Sequence, residues 1–126
     1  SGRGLDRVVL VSAVDPPLDA LSFDEAGLIC AVVVDDDSGE VLMVAWMNRE
    51  TLIETIETGR MVYWSRSRQE RWRKGDTSGD VQHLRSAAYD CDGDALLFRV
   101  DQVGAACHTG SRSCFFRSLV TENAER

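Results

Sequence analysis

Apolar and polar positions along the 126-residue chain fall into short blocks that follow two different periods. LICAVVVD (28–35) and VLMVAWM (41–47) are apolar runs rich in β-branched residues, and the polar Asp36–Gly39 segment divides them. This predicts a β-hairpin. The period then changes in NRETLIETIETG, where Leu52, Ile53 and Ile56 recur at helical spacing. Asn48 suits the N-cap of that helix, Glu50 its first turn and Gly59 its C′ position. MVYWSR (61–66), VQHLRSAAY (81–89), ALLFRVDQV (95–103) and CFFRSL (114–119) read as further strands. Residues 66–80 are polar, contain Gly75 and Gly79, and read as a long loop of the kind that is often functional. A short helix is expected near Leu18–Phe23. The class is α+β, mainly antiparallel strands with one or two short helices. Residues 26–126 form the expected single domain, and residues 1–25 carry little signal.

Composition narrows the picture modestly. Hydrophobic residues at 44% and charged residues at 28% are ordinary globular values. No run is apolar and long enough for a membrane span, and no export pattern opens the chain, so a cytoplasmic protein without membrane partners is expected. A net charge of −7 argues against a nucleic-acid partner. Arg66–Lys74 nevertheless gathers five of the fourteen basic residues around one acid. In an acidic chain such a segment suits a small anion, or it is simply a solvated loop.

The stretch YDCDGDALLF carries the most chemistry. Asp90, Asp92 and Asp94 offer oxygen ligands of the kind that Mg²⁺ and Ca²⁺ prefer. An EF-hand is excluded: Ala95 stands where that loop needs its sixth-position glycine, and Asp101 where it needs the final glutamate. The plain alternative is a solvated acidic turn. Cys91, Cys107 and Cys114 lie in polar, glycine-flanked surroundings, whereas Cys30 sits in an apolar run and reads as a small buried hydrophobe. Without an export signal, disulfides are not expected. Three thiolates select zinc and leave its fourth position open to water, the pattern of a catalytic site. A nucleophilic cysteine or three inert thiols are the competing readings. If residues 90–94 are extended, the three aspartates face one way and Cys91 the other. His108 directly follows Cys107 and is a candidate for proton transfer or substrate contact, the plain alternative being a hydrogen-bonded loop histidine.

VAWMN, WRKGDTSGDVQ, DCDGD and GAACHTGSRSCFF, in that order, resemble the phosphoribosyl-AMP cyclohydrolases of histidine biosynthesis, from about Ala26 to Leu119. The resemblance implies hydrolysis of the N1–C6 bond of the adenine ring of phosphoribosyl-AMP. It implies Zn²⁺ on Cys91, Cys107 and Cys114, and Mg²⁺ on Asp90, Asp92 and Asp94. It implies an intertwined homodimer whose zinc ligands come from both chains. Lys74, Gly75, Thr77, Ser78 and Gly79 match the family's motif and become candidate phosphate contacts, with Arg71 and Arg73 beside them. The few residues after CFFRSL predict no fused pyrophosphohydrolase domain. A zinc-stabilised module whose basic loop binds RNA or a partner is the rival class, disfavoured by charge. A zinc deaminase lacks its PCxxC pattern here.

Overall fold

The computed structural model describes residues 17–121, so most of the 1–25 segment lies outside the described residues. A 3-10 turn at Leu18–Ala20 precedes β1 (Ile29–Asp35), β2 (Val41–Met47), helix α1 (Arg49–Thr58), β3 (Val62–Ser65), β4 (Glu70–Arg73), β5 (Gln82–Tyr89) and β6 (Ala95–Gln102). Four strands form one sheet in the order β2-β1-β6-β5, and β3 pairs with β4 in a separate hairpin. The mixed α and β content matches the expected class.

Strand alternation sorts the sheet into two faces. Ile29, Ala31 and Val33 stand opposite Met47, Ala45 and Met43, and Ala31 and Val33 also stand opposite Leu96 and Phe98. This inner face packs with Leu52, Met61 and Tyr63 into the core. On the outer face Cys30 and Val32 are half-buried, while Val44 and Leu97 remain 44% and 40% exposed.

Helix α1 starts where its chemistry dictates. Asn48 Oδ1 accepts from the Thr51 N–H at 2.8 Å, and Thr51 Oγ1 accepts from the Asn48 N–H at 3.0 Å, a reciprocal cap. Gly59, at φ 76°, ends it. The buried positions are Thr51, Leu52 and Thr55, so the apolar face expected from Leu52, Ile53 and Ile56 is rotated slightly. The Thr55 hydroxyl explains the rotation: it accepts from the Val62 N–H at 2.9 Å and ties helix to β3. Asn48→Ala is expected to lower unfolding free energy by about 1 kcal/mol, measured by urea titration.

Four expectations change. The central β1–β6 ladder is parallel, although the other three ladders are antiparallel. Residues 66–80 are not all loop, because Glu70–Arg73 pairs with Val62–Ser65. β4 was hidden because it is polar except for Trp72. Cys114–Leu119 is not a strand: a lone backbone bond from Cys114 N–H to Leu42 O, at 2.7 Å, holds it to β2, and Phe115 and Phe116 lie exposed. The helix near Leu18–Phe23 shrinks to the three-residue 3-10 turn.

Candidate active site

Residues 90–94 form a turn rather than an extended strand. Asp90 Oδ1 accepts from the N–H groups of Asp94 at 3.0 Å and Ala95 at 3.3 Å, and the Gly93 N–H donates to Asp90 O at 3.1 Å. Gly93 has φ 75°, and a Cβ there would collide with the Ala20 carbonyl oxygen, so glycine is required. The strict alternation that would send Cys91 to the opposite face therefore does not apply. Folding gathers the aspartates instead: one carboxylate oxygen from each lies within 4.8 Å of the others, all exposed. Hydrogen bonds with Asp92 and Asp90, then their charge, push Asp94 up to about 6. Desolvation works against the Asp90 carboxylate, but hydrogen bonds from Asp94 and the Ala95 N–H outweigh it and hold Asp90 below its usual range. Three hard oxygen donors under mutual repulsion fit a divalent cation such as Mg²⁺.

The cysteines separate into two groups. Cys107 is buried in a tight turn closed by the Gly110 N–H on Cys107 O at 3.0 Å. Thr109 Oγ1 donates to Cys107 Sγ at 3.1 Å, and this bond leads the causes that lower the thiol's pKa, with a smaller contribution from Cys114. Desolvation, then the neighbouring Cys107 thiol, pushes Cys114 up. These two sulfurs meet beyond the C-terminal end of β6. Cys91 sits in the turn before its N-terminal end, and β6 is eight residues long. At ~3.3 Å per residue that places roughly 25 Å of strand between them. Cys107 and Cys114 are thus two soft donors suited to zinc, and one chain does not bring Cys91 to them. His108 is exposed, next to Cys107. Cys30 is half-buried beside Asp94 rather than in the core, and desolvation, then the Asp94 charge, raises its pKa.

The basic segment is more structured than a solvated loop. Arg71 makes a two-pronged contact with the Glu54 carboxylate, and Arg73 Nε bonds Asp76 Oδ1 at 2.8 Å. Lys74 is only 4% exposed, and its ammonium donates to the carbonyls of Asp80 at 3.0 Å and Ala105 at 3.4 Å. Burial lowers its pKa, partly offset by Asp80 and the Cys114 and Cys107 sulfurs. It pins the 74–80 turn to the loop that carries Cys107, a different task from the phosphate contact expected of it. Gly75, at φ 88°, is buried where a Cβ would fall 2.5 Å from the Val81 backbone. Thr77, Ser78 and Gly79 are exposed at the tip. Sequence reasoning passed over the tryptophans, which come from three different strands and share no local motif.

The family model for phosphoribosyl-AMP cyclohydrolase matches residues 43–116. The chain is 63% identical over 99 residues to the phosphoribosyl-AMP cyclohydrolase of Rhodospirillum centenum, covering 79% of this chain and 74% of that one. Its identity to the phosphoribosyl-AMP cyclohydrolase of Salinibacter ruber is 64% over 103 residues, 82% and 81% of the two chains. It is also 61% identical over 107 residues to the histidine biosynthesis bifunctional protein HisIE of Thermosynechococcus vestitus, 84% of this chain and 50% of that protein.

Proposed function

Since the chain belongs to the phosphoribosyl-AMP cyclohydrolase family of hydrolases in histidine biosynthesis, we propose that it opens the adenine ring of phosphoribosyl-AMP at N1–C6, in a site that two chains complete together. The observation that carries this reading is the division of the chemistry along β6. Two thiols lie past one end, and the third thiol lies with the aspartates at the other. A second copy running the opposite way would bring its Cys91 to the Cys107–Cys114 pair. The exposed outer-face residues Val44 and Leu97 supply apolar surface for such a partner.

Cys107, Cys114 and the partner's Cys91 would hold Zn²⁺, and zinc bound by three protein ligands supplies hydroxide at neutral pH by lowering the pKa of water to about 7. The residues of this chain do the rest. His108, exposed beside Cys107, takes a proton from the water as C6 gains oxygen and returns it to N1 as the C6–N1 bond breaks. Asp90, Asp92 and Asp94 would hold Mg²⁺ against the substrate's phosphates. Thr77 and Ser78 are exposed at the tip of the 74–80 turn, and their hydroxyls can donate to a phosphate oxygen, with Arg71 and Arg73 near by. Elemental analysis of purified protein, paired with an ultraviolet assay of ring opening, tests the whole reading. Ring opening that persists after zinc is stripped would overturn the metal assignment.

The acidic turn gives this proposal a pH signature. Asp94 keeps its proton up to about 6, and a bound cation must displace it. Mg²⁺ affinity should therefore be pH-independent well above that value and weaken as pH falls through it. Calorimetric titration with Mg²⁺ across that range reads both the affinity and the proton released. Asp92→Asn lessens the repulsion on Asp94, so the midpoint should move downward, while zinc content stays unchanged.

A further inference from the structure

All three tryptophans of the chain, Trp46, Trp64 and Trp72, line a single groove of about 350 Å³. It lies where the free edge of β2 meets the β3–β4 hairpin. Tyr63 forms part of the wall, its ring 5.5 Å from that of Trp72 and tilted by 41°. Ser65 and Arg68 provide polar lining. The Arg66 guanidinium stands 4.7 Å over the Trp46 ring, and both Arg66 and Arg68 are exposed. The volume is at the small end for sites that take a small molecule. Indole faces beside guanidinium groups are the elements by which proteins hold bases and phosphates.

The groove also has a defined position relative to the acidic turn. Trp46 stands opposite Cys30, and Cys30 opposite Ala95, which directly follows Asp94. Two strand spacings separate Trp46 from Ala95, about 10 Å. Aromatic wall, cationic rim and carboxylate cluster thus share one end of the sheet.

We propose that this groove binds a purine nucleoside monophosphate, with the base against the tryptophan rings and the 5′-phosphate facing Arg66 and Arg68. On the reading of the chain as a cyclohydrolase, from which this proposal borrows its ligand class, the groove holds the AMP portion of the substrate. The rings supply sequence-independent stacking area, and the arginines discriminate a nucleotide from a nucleoside. In a chain of net charge −7, cations placed beside a nucleotide-sized groove are what an anionic ligand needs to approach it.

Because every tryptophan lies in the groove, intrinsic fluorescence reports on it alone. Excited beyond the adenine absorption, the full chain should show saturable quenching by AMP. Adenosine should quench more weakly, and ribose 5-phosphate should leave emission unchanged. An Arg66→Ala/Arg68→Ala variant, with unchanged circular dichroism and zinc content, should weaken AMP binding by about tenfold or more, the loss expected for charge-assisted hydrogen bonds. Wild-type protein that opens the ring of phosphoribosyl-AMP but shows no saturable quenching by AMP would overturn the groove and leave the enzymatic reading standing. Quenching equally strong in the double variant would overturn it too. Saturable quenching by a protein that does not turn over phosphoribosyl-AMP would uphold the groove while the enzymatic reading fell.

Discussion

Cys107→Ala should lose zinc and ring-opening activity together. Disturbing the groups that merely orient a metal's ligands costs about 10–100-fold in affinity or activity. Removing one of three ligands should exceed the upper end of that range. The structure adds a reason specific to this position: Cys107 is buried, and its sulfur already accepts from Thr109 and meets Cys114. Zinc content by elemental analysis and ring opening by ultraviolet absorbance read the two losses independently. Cys30→Ala is the control. Cys30 sits half-buried on the outer face, so the change should cost only about 1 kcal/mol of packing and keep the metal. An alanine at Cys30 that emptied the zinc site would show that the wrong three cysteines had been chosen.

Two inactive variants should restore one another. Cys91→Ser and Cys107→Ser are each expected to be dead as homodimers, because every zinc site in either dimer lacks a ligand. Unfolded and refolded together, half of the dimers become mixed. In a mixed dimer one interface collects both damaged positions, and the other draws intact Cys91, Cys107 and Cys114 from the two chains. Activity should return to about one quarter of the wild-type value per site, as symmetry requires. The roughly 25 Å of β6 between Cys91 and the other two thiols makes the alternative unambiguous. If one chain supplied all three ligands, no mixture would regain activity, whatever the yield of a refolded wild-type control.

Local features of the fold were legible wherever the code is local. The β1–β2 hairpin, the caps of α1 at Asn48 and Gly59, and the β5–β6 pair follow from alternation, side-chain capping and glycine placement. The parallel pairing of β1 with β6 has no local signal, since it joins segments on either side of a helix and a hairpin. β4 was missed because Glu-Arg-Trp-Arg has no buried face to advertise it. CFFRSL misled for the opposite reason: its aromatic residues suit a strand, but only the Cys114 N–H reaches the edge of β2. At the site, the grouping of Asp90, Asp92 and Asp94 was readable from proximity in sequence, although the turn that achieves it differs from the expected extension. The burial of Lys74 was not readable, because only the fold brings the carbonyls of Asp80 and Ala105 to one ammonium.

The β1–β6 ladder has a further consequence, for how the chain is made. Its first pair joins Cys30 to Ala95, 65 residues downstream (95 − 30), so the centre of the sheet closes one of the longest loops the fold contains. Contacts at such separation slow folding, because the loop entropy must be overcome before the ladder forms. On a ribosome adding about 5–20 residues per second, β1 would wait roughly 3–13 s for its parallel neighbour. Through that interval one edge of an apolar strand, Ile29–Val34, stays open with unpaired amide and carbonyl groups. Nascent chains that meet side by side during those seconds can pair through that edge, so yield of native protein should depend on translation speed and chaperone supply more than on equilibrium stability.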